Sequence, residues 1–116
     1  MTIVVVDPDR SEQADLANIL SRKYRSASVQ CFRDPLLAVK FGANNNVDAL
    51  YTVSRMKRLS GLELGRLMRQ LYPKIALTLI ADDDSGRNEA MRSMADSYVT
   101  RPVTEEALLL AENEEW

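Results

Sequence analysis

The chain alternates short apolar runs with longer stretches in which apolar residues recur every three or four positions. Ile3, Val4, Val5 and Val6 form an unbroken β-branched run, the mark of a strand buried on both faces. Residues 11–23 read as a helix, with Leu16, Ile19, Leu20 and then Tyr24 along one side. A second strand is predicted over 29–32. Asp34 followed by Pro35 starts another helix, because Asp can accept free backbone N–H groups and Pro at the first turn loses no intrahelical bond. Leu37 and Phe41 lie one turn apart on it, and the glycine- and asparagine-rich run 42–46 is expected to end it. Residues 49–53 form the third strand. Ser60 and Glu63 have the spacing of a capping box, so a helix begins at Gly61, carries Leu64, Leu67, Met68 and Leu71 as its apolar stripe, and ends before Pro73. A fourth strand over 75–80, a polar loop over 82–86, a short helix with Ala90, Met91, Met94 and Ala95 on one side, and a fifth strand over 97–100 follow. Thr104 caps a last helix expected to run to Leu110, with 111–116 fraying.

This order predicts an α/β protein: a flavodoxin-like three-layer α/β/α sandwich around a five-stranded parallel sheet of order 2-1-3-4-5. No linker, repeat or low-complexity segment interrupts it, so residues 1–116 read as one domain. Sites in such folds gather at the carboxyl ends of the strands. That rule brings Asp7, Asp9, Val53, Ser54, Ala81, Asp82 and Arg101 near one another.

Composition narrows the chemistry. The 116 residues carry a net charge of -2, which argues against a domain-wide affinity for nucleic acid. There is no histidine, so the commonest general base is absent. Cys31 is the only cysteine, excludes an intrachain disulfide, and is expected to be a small buried residue. No apolar run is long enough to span a membrane and no basic segment precedes the first apolar run, which makes a cytoplasmic location the expectation.

Three segments carry a family resemblance. Asp7, Pro8 and Asp9 follow the first strand. Leu59, Ser60, Gly61, Leu62, Glu63 and Leu64 make a turn into a helix, with Gly61 eight residues after Val53. Ala95 to Val103 ends in Tyr98, Val99, Thr100, Arg101 and Pro102. Together, from about Thr2 to Glu112, they resemble the response-regulator receiver domain, and the texture is similar to receivers of LytTR-type transcription regulators.

The resemblance implies specific roles and specific losses. Asp7 matches the first acid of the family's metal-binding pair, and Pro8 stands where the second is expected. Val53 stands in place of the phospho-accepting aspartate, Ile80 in place of a Ser or Thr that reads the phosphoryl group, and Arg101 in place of a lysine. Tyr98 matches an aromatic switch position, and Pro102 a proline often preceded by a cis bond. Valine offers no nucleophilic oxygen, and Mg²⁺ is usually anchored by carboxylates. The expectation is therefore a degenerate phosphorylation pocket of Asp7, Pro8, Asp9, Val53, Ile80 and Arg101 with no metal, no cofactor, no aspartyl phosphate and no catalytic residue. Arg101 is expected to pair with Asp7 or Asp9, since a buried unpaired arginine is costly. Arg55, Lys57 and Arg58 on one loop and Asp82, Asp83 and Asp84 on the next are read as solvated loops whose surface pairs contribute about 0–1 kcal/mol each, and alternatively as a self-neutralising clamp or a docking surface.

Partners follow from the same resemblance. In the family, the face of the fourth helix, fifth strand and fifth helix mediates dimerisation or protein docking. Here it draws on Met91, Met94, Tyr98, Pro102, Thr104, Glu105 and Leu108. A DNA-binding output domain would lie outside this chain. A rival reading takes Asp7 and Asp9 as the nucleophile and acid/base of a small magnesium-dependent phosphohydrolase of haloacid-dehalogenase type. It leaves Gly61 and the Tyr98–Pro102 matches without a role.

Overall fold

β1 (Thr2–Val6) leads into α1 (Arg10–Lys23), and β2 (Ser28–Phe32) into α2 (Pro35–Asn44). β3 (Ala49–Val53), α3 (Gly61–Leu71), β4 (Ala76–Ala81), α4 (Arg87–Ser93), β5 (Ser97–Thr100) and α5 (Glu105–Asn113) complete the alternation. These elements come from a computed structural model, which describes residues 1–113. All strand pairs are parallel, as the alternation predicts, and the sheet order is β2-β1-β3-β4-β5, the flavodoxin-like order expected. β1 pairs with both β2 and β3, so the winding direction reverses between β1 and β3.

Strand alternation sorts the core into two layers. Val4, Val6, Leu50, Leu77 and Leu79 face the side covered by α2, α3 and α4. Ile3, Val5, Tyr51, Val53, Ile80 and Val99 face Leu16, Ile19 and Leu20 of α1 and Leu108 and Ala111 of α5. Each fully buried aliphatic side chain stabilises the fold by about 1.5–3 kcal/mol relative to exposure.

The helix starts follow the sequence signals. The Asp34 carboxylate accepts the Leu36 N–H at 2.9 Å. Ser60 and Glu63 form the reciprocal capping box, at 3.1 Å and 2.9 Å. Thr104 Oγ1 accepts the Ala107 N–H at 3.0 Å.

Several expectations need correction. α2 continues through Gly42 to Asn44, because Gly42 is buried where a side chain would meet the end of Met68, and this packing outweighs glycine's poor helix propensity. Leu67 and Leu71 are exposed on α3; Gly61 and Gly65 join Leu64 and Met68 on its buried face. Cys31 is exposed, because β2 is an edge strand and this residue points outward. α5 runs to Asn113 with Ala111 buried, so no fraying begins at 111; residues 114–116 of that expectation lie outside the described residues. Among the described residues no helix is long and apolar enough to cross a membrane.

Arg69 of α3 fastens the other end of the sheet. It donates to the carbonyls of Met94 and Ile75 at 2.7 Å and 2.8 Å and to Asp96 at 3.0 Å, while Asp96 also accepts the Leu77 N–H at 2.8 Å.

Gly61 explains the eight-residue spacing from Val53. A Cβ there would overlap the Val53 carbonyl oxygen and come within 2.9 Å of Leu79 Cδ2. Gly61→Ala is therefore expected to lower stability by about 2 kcal/mol through overpacking. Gly86→Ala, whose Cβ would sit 3.4 Å from the Tyr98 hydroxyl, should lose much less. Urea unfolding of both variants checks this, and equal midpoints would refute the close-approach explanation.

Candidate functional site

Asp7 ends β1 and is 3% exposed. One carboxylate oxygen accepts the Asp9 N–H at 2.9 Å, and the other lies 3.3 Å from Arg101 Nη2. Desolvation raises the Asp7 carboxyl above its ordinary range, against the lowering effects of the Asp9 N–H and the Arg101 charge. Asp9 does not share this pairing. Its carboxylate caps α1, accepting the Ser11 and Glu12 N–H groups at 2.9 Å and 3.1 Å. Such a cap contributes about 1 kcal/mol.

Arg101 follows β5 and reaches across the carboxyl end of the sheet. Its three guanidinium nitrogens meet three carboxylates: Nη2 with Asp7, Nη1 with Glu12 at 3.2 Å, and Nε with Asp82 at 3.3 Å. The Arg101 N–H donates to the Ala81 carbonyl at 2.9 Å, which anchors the reach. The Arg101–Pro102 peptide bond is cis. Of the two anticipated partners, Asp7 pairs and Asp9 does not; Glu12 and Asp82 are additions. Glu12 sits one turn into α1, in the helix that Asp9 caps, so the same cap that removes Asp9 from the site delivers Glu12 to it.

Val53 and Ile80 are not two separate features. They are register partners on β3 and β4, 3% and 2% exposed, and belong to one apolar cluster with Met56 packed against it. Thr52 points to the opposite layer, with its hydroxyl donating to the Val53 carbonyl at 3.0 Å. Beyond the Val53–Ile80 pair lies a cavity of about 140 Å³, whose rim includes Ser54, Arg55, Asp82, Asp83, Tyr98 and Arg101.

Tyr98 is turned inward and 4% exposed. Its hydroxyl donates to the Asp83 carbonyl at 2.9 Å, and desolvation raises its pKa. Arg87, which the sequence did not single out, stacks 4.9 Å from the ring centroid, bonds the Tyr98 carbonyl at 3.1 Å and pairs with Asp84 at 2.9 Å. The two charged loops do not clamp each other. Arg58 pairs with Asp34, Asp82 with Arg101, and Asp84 with Arg87, while Arg55 reaches Asp83 only through its field. Ser85 supplies the main influence on Asp83, holding its carboxyl below the ordinary range by side-chain and backbone hydrogen bonds.

The expected interface residues divide. Met91 is 38% exposed and Met94 half-buried, whereas Leu108 is 1% exposed and faces α1 and the sheet. Leu108 and the inward Tyr98 are thus unavailable to a partner. Leu110 is exposed instead, on the flank of α5 away from Glu105 and Glu112, which pair with Arg22 and Lys23 of α1.

The site's donors do not fit the magnesium ion that receiver chemistry uses. Both oxygens of Asp7 are engaged, Pro8 and Val53 carry no side-chain oxygen, and the Arg101 guanidinium is already in place. Among the described residues no three acidic, histidine or cysteine side chains converge on one point.

The sequence matches the response regulator receiver domain family over residues 3–112. The chain belongs to that family. Response regulator MprA of Mycobacterium sp. (strain KMS) is 33% identical over 109 residues, covering 92% of this chain and 46% of that protein. This receiver domain therefore spans about half the length of the curated relatives it matches. A receiver domain protein from Clostridium thermocellum superposes with a TM-score of 0.80 at 24% identity, covering 97% of this chain and 91% of that one. A response regulator from Burkholderia pseudomallei, solved with a phosphorylated aspartic acid, calcium ion and citrate, gives 0.80 at 22% identity, covering 95% of this chain and 65% of that one. Receiver domains of this family act in two-component signalling. The phosphohydrolase reading gains nothing from these matches, and the α1 cap occupies the Asp9 carboxylate it would need.

Removing the guanidinium tests the Asp7 environment. A raised folded-state pKa means that protonation favours the fold, so the contribution of Asp7 is complete below its unfolded pKa and is lost as pH rises through the folded value. Without Arg101 that folded value rises further. Arg101→Leu should cost about 2–3 kcal/mol near neutrality, limited by the residual exposure of Arg101. Part of the loss should be recovered at about pH 5. Urea unfolding at both pH values checks this, and an equal loss at both would show that Asp7 is not the group relieved.

Proposed function

We propose that this receiver domain works without an aspartyl phosphate, as a phosphorylation-independent regulatory module in transcription control. The observation that carries this reading is the Val53–Ile80 pair: where the family places a phospho-acceptor and a hydroxyl beside it, this chain has two buried apolar side chains in register. Phosphoryl transfer needs a nucleophilic oxygen and positive charge at the transferred group. The first is missing at position 53, and the second, Arg101, is spent on three carboxylates. Arg101 acts as a built-in counter-ion for Asp7, in the role a metal has in phosphorylated relatives. No residue is assigned a catalytic task.

The module reads 1–116 as one receiver domain that signals through protein contacts in the cytoplasm. Its contact surface is the α4–β5–α5 edge, with Met91, Met94 and Pro102 beside Leu110, either to a second copy or to a partner protein. The relatives' greater length supports an output domain, DNA-binding and of LytTR or another type, outside this stretch.

Amide NMR with beryllofluoride and Mg²⁺ tests the reading. Wild-type protein should show no saturable shifts around residues 7–9, 53–54 and 81–82, and their appearance would refute phosphate independence. Val53→Asp alone should remain a poor acceptor from acetyl phosphate, because Pro8, Ile80 and Arg101 persist; efficient labelling would show that one substitution silenced the site. For the surface, light scattering should give a dimer that Leu110→Glu dissociates, or a monomer in both proteins if a different partner uses the edge.

A further inference from the structure

The loops after β1, β2 and β3 frame a second cleft, of about 460 Å³, which adjoins the cavity over Val53 and Ile80 and shares only Arg55 with it. Arg33 comes from the β2–α2 loop, and Arg55, Lys57 and Arg58 from the β3–α3 loop, while Asp34 is the sole acid in the lining. In a chain of net charge -2, four cations against one carboxylate reverse the local sign. Arg55 and Lys57 are exposed, and Arg55 lies in the field of Asp83 without forming one of the ion pairs seen here. Arg33 spends only its Nε, on the Pro8 carbonyl at 3.1 Å, and keeps its terminal nitrogens.

Arg58 is placed at a cost. Its φ of 76° lies in the left-handed region, which disfavours a residue with a Cβ by about 1 kcal/mol. Asp34, 3.3 Å from its guanidinium, holds it over the cleft. Between the cations the lining is apolar, from Pro8, Pro35 and Met56. The cleft also lies where the sheet's winding reverses between β1 and β3, the place at which open α/β sheets take ligands.

A concave site of this size, within the range of about 300–1,000 Å³ typical of small-molecule pockets, fits a compact ligand better than a protein face. Guanidinium forks match phosphate oxygens, and the apolar lining fits a flat, weakly polar body. We propose that this cleft binds a nucleoside di- or triphosphate, with its phosphates on Arg55, Lys57 and Arg58 and its base against Met56 and the two prolines. The proposal stands apart from phosphate independence, since Asp7, Val53 and Arg101 do not line the cleft.

The test is an amide NMR titration of the whole chain in Mg²⁺-free buffer, with ADP and, separately, inorganic pyrophosphate. ADP should give saturable shifts at Arg33, Met56, Lys57 and Arg58 and bind more tightly than pyrophosphate. The exposed double variant Arg55→Gln/Lys57→Gln should weaken ADP by about tenfold or more while keeping the wild-type thermal midpoint. No saturable shift at these amides, or undiminished binding by the double variant, would overturn the site. Pyrophosphate binding as tight as ADP would overturn the role given to the apolar lining. Shifts with a glutamate-rich peptide and none with ADP would assign the cleft to an acidic protein segment instead.

Discussion

Asp7 sits out of water at the end of a central strand, and an ionised carboxylate holds there only if positive charge and N–H donors reach it. Arg101 and the Asp9 amide meet that demand from opposite sides. The demand then spreads. Arg101 must extend from β5 across the sheet, which fixes the loop after β4 through Asp82 and the first turn of α1 through Glu12. One side chain thus links β1, the first turn of α1 and the loop after β4. The apolar Val53–Ile80 pair beneath needs no charge to face it, so the guanidinium can be committed entirely to acids.

The fold was legible because each of its signals is local. β-branched runs, the capping box at Ser60 and the Asp34–Pro35 start depend on residues within a few positions of one another; alternation gave the parallel sheet, and the flavodoxin-like arrangement gave the strand order. The errors came where tertiary contact overrides local preference. Gly42 reads as a stop, yet the neighbouring Met68 needs its missing side chain. Cys31 reads as core by type, yet edge-strand geometry turns it outward. Leu67 and Leu71 keep helical spacing but lie past the edge of the buried stripe, whose place is taken by glycines that let α3 approach the sheet.

The site was half legible. Family spacing pointed to Asp7, Val53, Ile80 and Arg101, and the cost of burying an arginine unpaired pointed to an ion pair for Arg101. Spacing could not say which acid would pair. Asp9 followed the local rule for a helix cap, and Glu12, three residues on, was left to complete the set. Arg87 escaped notice because its partners, the Tyr98 ring and carbonyl, lie eleven residues away and come together only when α4 packs on β5.

The contacts between α1 and α5 have a consequence for how the chain is made. Arg22 pairs with Glu105, and Glu112 receives both Lys23 at 2.6 Å and the Tyr24 hydroxyl at 2.9 Å. One face of the sheet, under α2, α3 and α4, has all its covering helices once residue 93 has been synthesised. The opposite face lacks half its cover until α5 emerges. On the ribosome, the apolar surface of Tyr51, Val53 and Ile80 stays open to water until α5 docks, which makes that docking the step that closes this face of the domain.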